Sequence, residues 1–202
     1  MIKVLILFCS LTLPAIVFAG NDSGSDRTIP AEVKSFVERG TRLLAWERAD
    51  LNGDNKDDYI IVLEKEKQQP SDPDMESRQR PLLIVTRNSN GRLEVVKRND
   101  KIVYCSQCGG MMGDPFVGVT VGRKTFTVEH YGGSAWRWSN SFTFNYSRID
   151  NTWQLVEVKE ESFHAGDPEG GESRRYTPPR DFGKIDIANF DPDTWKKRRK
   201  SK

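Results

Sequence analysis

Apolar residues fall into two patterns along this chain. Residues 59–63 and 81–86 are near-continuous apolar runs of strand length. Asn88, Ser89, Asn90 and Gly91 then give a turn signal, and residues 93–96 pair back on 81–86 as a hairpin. Further along, apolar and polar positions alternate. Residues 116–121, a turn at 122–124 and residues 125–131 read as strand, turn, strand. Gly132, Gly133 and Ser134 make the next turn, and residues 138–147 alternate through Phe142, Phe144 and Tyr146. Asp150 and Asn151 turn the chain again before residues 153–158. Alternation of this kind predicts an antiparallel sheet with one buried face.

The flanks read differently. Residues 28–40 predict a short helix, with Pro30 in its first turn, Val33, Phe36 and Val37 on one face, and Gly40 as its stop. Residues 42–48 form a short mixed segment. Residues 65–79, with Pro70 and Pro73, read as a long exposed loop, and residues 162–179 as a Gly-, Pro- and charge-rich stretch. Phe182, Ile185, Ile187, Phe190 and Trp195 give residues 181–195 enough apolar surface to dock on the body. The expected fold is mainly β: an antiparallel meander or hairpin sheet, sandwich or partial-propeller in style, with a short N-terminal helix.

The first residues change the expected compartment. Lys3, the apolar stretch 4–18 and Val17-Phe18-Ala19 together read as an export signal, with cleavage expected after Ala19. The stretch is shorter than the roughly 20 residues of a membrane span, and Pro14 interrupts it. The expected organisation is signal 1–19, flexible leader 20–29, one β-rich domain 30–195 and basic tail 196–202. The product is expected in the periplasm or secreted, not membrane-spanning after cleavage. A formal net charge of +2 hides an asymmetry, because Lys196, Lys197, Arg198, Arg199, Lys200 and Lys202 sit together at the end. The remaining body is acidic, which argues against a nucleic-acid partner.

The strongest chemical signal is the run from Asp50 to Asp58. Asp50, Asn52, Asp54 and Asp58 place oxygen-bearing side chains at loop positions 1, 3, 5 and 9, and Lys56 offers its carbonyl at position 7. Hard cations want oxygen ligands, and Ca²⁺ wants six to eight of them. An EF-hand would need Gly at position 6 and a bidentate Glu at position 12; Asn55 and Ile61 stand there instead. A plain ion-free Asn/Asp/Gly turn is the alternative. The loop resembles the calcium loop of FG-GAP repeats, over residues 49–63. That resemblance implies Asp50, Asn52, Asp54, the Lys56 carbonyl and Asp58 as ligands of weakly held Ca²⁺. A complete propeller needs several such loops, and this chain has one.

Other candidate chemistry is sparser. Cys105 and Cys108 are expected to pair in an oxidising compartment, as a structural clip or as a redox couple. His130 with Ser134 could form a hydrolytic pair, although no nucleophile-elbow motif surrounds the serine. His130, Trp136, Arg137 and Trp138 could bind a ligand, or Trp136 and Trp138 could divide between surface and core. The segments 105–110 and 130–138 are similar to uncharacterised exported bacterial proteins, a resemblance that carries no activity. The expected function is a calcium-stabilised binding or structural module of the cell envelope, facing an envelope protein or a glycan. The alternative is a periplasmic enzyme, a hydrolase at His130 and Ser134 or a thiol oxidoreductase at Cys105 and Cys108.

Overall fold

A computed structural model describes residues 28–66 and 79–196. The expected signal, most of the leader, the middle of the 65–79 loop and residues 197–202 lie outside the described residues. Among the described residues nine strands form two antiparallel sheets, each a meander of sequence neighbours. The first holds β1 (Thr41–Ala49), β2 (Asp58–Lys65), β3 (Arg80–Arg87) and β4 (Leu93–Val103). The second holds β5 (Phe116–Gly122), β6 (Thr125–Gly133), β7 (Trp136–Ser147), β8 (Thr152–His164) and β9 (Asp167–Tyr176). The sheets pack face to face and do not close into a barrel. Among the described residues no helix is long and apolar enough to cross a membrane.

The two apolar patterns correspond to two kinds of burial. One face of the first sheet, with Ile60, Val62, Leu82 and Ile84, packs on Val128, Phe142, Phe144 and Val158 of the second. Its other face, with Tyr59, Ile61, Leu63, Leu83 and Val85, is covered by Val33, Phe36 and Val37. Strands β2 and β3 are therefore buried on both sides, which is why they lack alternation. In β6 buried and half-buried residues alternate strictly.

The expected helix over 28–40 is much shorter. Only Ala31–Lys34 is helical, here α1. One turn and the bend after it already bring Val33, Phe36 and Val37 onto the sheet, and the chain must re-enter β1 at Thr41. β4 runs on past the expected residue 96 to Val103; its middle is charged and partly exposed, so no apolar period marks it.

Most of the Gly-, Pro- and charge-rich stretch 162–179 is a strand, β9. The chain pairs as a hairpin arm on β8, with Glu160 opposite Arg174 and Lys159 opposite Arg175. Only Tyr176, at the end of β9, packs on the core; the rest of the strand is exposed and forms through backbone pairing without an apolar signature. The segment beyond it docks as expected, with Phe182, Ile185, Ile187, Phe190 and Trp195 all buried. Asn99 fixes it by donating from Nδ2 to the carbonyls of Ile187 (2.5 Å) and Phe190 (2.8 Å).

Candidate functional site

The chain between β1 and β2 is a loop built from its own side chains. Asp50 Oδ1 accepts from the Gly53 N–H at 2.7 Å, and Asp50 Oδ2 from the Asn55 N–H at 3.2 Å. Asn52 Oδ1 accepts from the Asp54 N–H, and Asp54 Oδ1 from the Lys56 N–H, each at 2.9 Å. These bonds curl the backbone tightly; Gly53 and Asn55 both take positive φ, at 83° and 63°. Asp57 points away and pairs with Arg48 at 3.4 Å.

Asp58 is the closing residue and is fully buried. Its Oδ2 accepts from the Leu51 N–H at 3.1 Å, and its Oδ1 from the Arg87 N–H at 2.9 Å. Burial pushes this carboxyl above its ordinary range, and the charge of Asp54 adds to the push; the backbone donors pull the other way. Asp50, Asp54 and Asp58 each present a carboxylate oxygen such that the three lie within 4.8 Å of one another. Three carboxylates so close repel unless a cation or protons intervene. The donor set is all oxygen, so its chemistry fits a hard divalent cation.

The second sheet seals this loop. The turn between β5 and β6 lies on it: Lys124 N–H donates to the Asp50 carbonyl at 2.9 Å, and Arg123 Nε to Asp50 Oδ2 at 3.1 Å. Burial raises the Asp50 pKa, but the Gly53 and Asn55 N–H groups and Arg123 outweigh it and hold the carboxyl below the usual range. From β8, the Trp153 indole donates to the Leu51 carbonyl at 2.9 Å. Lys56 does more than offer a carbonyl: its Nζ donates to the Asn88 carbonyl at 3.0 Å.

The other predicted residues gather at the opposite region of the second sheet. Cys105 and Cys108 are joined in a disulfide within the chain that crosses from β4 to β5. Cys105 is buried and Cys108 exposed, and only a single 3₁₀ turn, Gly110–Met112, follows them. This crossover lies on the end of β6, where Gly133 N–H donates to the Gly109 carbonyl at 2.9 Å. Gly132 admits the Trp138 indole: a Cβ there would sit 2.5 Å from the ring. The two segments 105–110 and 130–138 are thus one packed unit.

His130 is buried in the inter-sheet core, not exposed beside Trp136. It stacks on Tyr104, ring centroids 4.2 Å apart, and its Nε2 accepts from the Tyr104 N–H at 3.2 Å. Nδ1 is buried without a hydrogen-bond partner among the described residues. Burial, with Arg80 nearby, lowers the His130 pKa to about 3, against a smaller opposing pull from Asp114. Ser134 makes its backbone bond to the Trp136 carbonyl, and no bond joins it to His130 among those described. Trp136 is 66% exposed, whereas Trp138 is half-buried on the same face of β7. Arg137 lies on the other face, with Nη1 buried and without a partner among the described residues.

A buried ion cluster was not expected from the sequence. Arg80 is fully buried; its Nε donates to Glu64 at 2.8 Å and its Nη1 to Asp114 at 2.7 Å and to the Tyr104 carbonyl at 3.0 Å. Arg42 also pairs with Glu64. The cluster ties β2 and β3 to the crossover that carries the disulfide. A single Arg before Pro81 gives no pattern by which to find it.

No family model, no curated protein and no solved structure matches this chain.

Proposed function

We propose that this protein is an exported, calcium-stabilised binding module of the cell envelope, with residues 50–58 as an FG-GAP-type loop. One observation carries the reading. Three carboxylates converge, and one of them, Asp58, is fully buried with only backbone N–H donors for company. Isolated buried charge is costly unless it is paired or coordinates a metal. Asp50, Asn52, Asp54, the Lys56 carbonyl and Asp58 would hold the ion. It would neutralise the cluster and pin the junction where the β5–β6 turn and Trp153 meet the loop. No bidentate Glu completes the set, so affinity is expected in the weak extracellular class, about 10⁻⁴–10⁻³ M. The N-terminal signal pattern and the disulfide favour an oxidising compartment outside the cytoplasm.

Calorimetric titration and thermal melting with Ca²⁺ test the reading. At free Ca²⁺ ten times the dissociation constant, linkage adds about 1.4 kcal/mol, a rise in melting temperature of about 3–6 °C. Asp54→Asn, at an exposed position, should remove most of that response. Absence of both heat and melting shift would sink the calcium reading. The enzyme alternatives have less support. His130, with a pKa near 3, is a poor base at neutral pH, and no helix N-terminus of useful length follows Cys105 and Cys108 to activate a thiol.

A further inference from the structure

The inner face of the second sheet runs past the inter-sheet core. Buried side chains on β7 end at Phe142; beyond it the same face presents half-buried Asn140 and Trp138 and then exposed Trp136. On β8 the face continues from the buried Val158 to Glu160, Ser162 and His164. The arm β9 adds Glu172 and Arg174. Trp138, Asn140, Glu160, Ser162, Glu172 and Arg174 line a depression of about 340 Å³. Small-molecule sites begin near that size, at about 300 Å³.

We infer that this depression binds a neutral saccharide. The inference rests on the reading of the protein as a binding module, but not on its calcium loop, which lies elsewhere. Charge selects the ligand class. Three carboxylates line the site and each already has its cation: Glu160 is held by Lys196 at 2.6 Å, Glu161 by Lys159 at 2.6 Å and Glu172 by Arg174 at 2.9 Å. A charged ligand gains little attraction from pairs that already offset each other. A polyol needs no net charge: the carboxylates and Asn140 have further lone pairs for hydroxyl donors, and the guanidinium of Arg174 has further N–H groups for hydroxyl acceptors. The indole supplies an apolar plane for the C–H face of a sugar ring. Trp138 is already fixed, edge-on to Tyr104 at 6.0 Å and seated over Gly132, and Asn140 donates to the Tyr104 hydroxyl at 3.2 Å. Little side-chain freedom is lost on binding, which favours a shallow site. The crossover with its disulfide is what holds Tyr104 and Gly132 in place, so the two glycine-rich motifs act as the backing of this wall.

The experiment is a titration of the isotopically labelled full chain with cellohexaose, maltohexaose and chitohexaose, followed by NMR. Saturable shifts of the Trp138 indole N–H and of the backbone at Asn140, Ser162 and Arg174 are expected with at least one of the three. Trp138→Ala should abolish them. Arg174→Ala, at an exposed position where folding is not at stake, should weaken binding about tenfold. The same titration with chelator present should be unchanged, so loss of the calcium response would leave this inference standing. Three results would overturn it: no saturable shift with any of the three sugars, shifts untouched by both substitutions, or saturable binding of trilysine at these residues with the sugars silent.

Discussion

Acid should weaken this fold through His130 before it reaches the carboxylates. The folded protein holds the imidazole neutral, with a pKa of about 3, whereas an unfolded chain offers it at about 6.5. Between these values the unfolded state binds a proton that the folded state refuses. Stability is therefore fully present above pH 6.5 and falls as pH drops toward 3. At pH 4.5 the unfolded imidazole is almost fully protonated, and the loss is roughly 3 kcal/mol, or about 5–10 °C in melting temperature for a chain of this size. The physical cause is geometric. A proton on Nε2 would displace the bond accepted from the Tyr104 N–H, and the new charge would sit in the core near Arg80. The assay is thermal unfolding of the wild type and His130→Gln from pH 7.5 to 4.5. The substitution carries its own cost at every pH. The carboxylates titrate in both proteins, so the difference between the two curves isolates the imidazole. That difference should shrink by roughly 3 kcal/mol across the range. Parallel curves would refute the reasoning.

Three further outcomes are expected. Arg80→Ala should cost up to about 3 kcal/mol in urea unfolding, because Asp114 loses its partner and Glu64 keeps only Arg42. Gly132→Ala should cost about 1–3 kcal/mol and shift tryptophan emission, since the new methyl meets the Trp138 ring. Replacing both Cys105 and Cys108 with Ser should cost no more than about 2 kcal/mol, the limit for so short a closed loop, and its melting temperature should no longer respond to reductant.

The strands were legible where burial imposes a period. The runs in β2 and β3 and the alternation in β6 and β7 each reflect a face, or two faces, in contact with apolar neighbours. β9 carries no such mark because only its last residue meets the core, and the expected helix runs past α1 because a helical face of three residues needs only one turn. The spacing of Asp50, Asn52, Asp54 and Asp58 was readable because the loop is locally built. What seals it was not: Arg123, Lys124 and Trp153 arrive from the other sheet, and local sequence does not encode that meeting. The burial of His130 was hidden for the same reason. Its strand placed it correctly, but the Tyr104 that covers it comes from the end of β4.

The arm β9 has a consequence for how this protein can be switched off. It is the outermost strand of its sheet, with two adjacent glycines and mostly charged side chains, and almost no buried surface of its own. Segments of this kind open at a free-energy cost far below that of the whole domain. A protease that nicks the arm, or a local opening of its pairing with β8, would remove Glu172 and Arg174 from the depression while the two-sheet core stayed folded. Integrity of the fold and integrity of that surface are therefore separate properties, to be measured by separate assays.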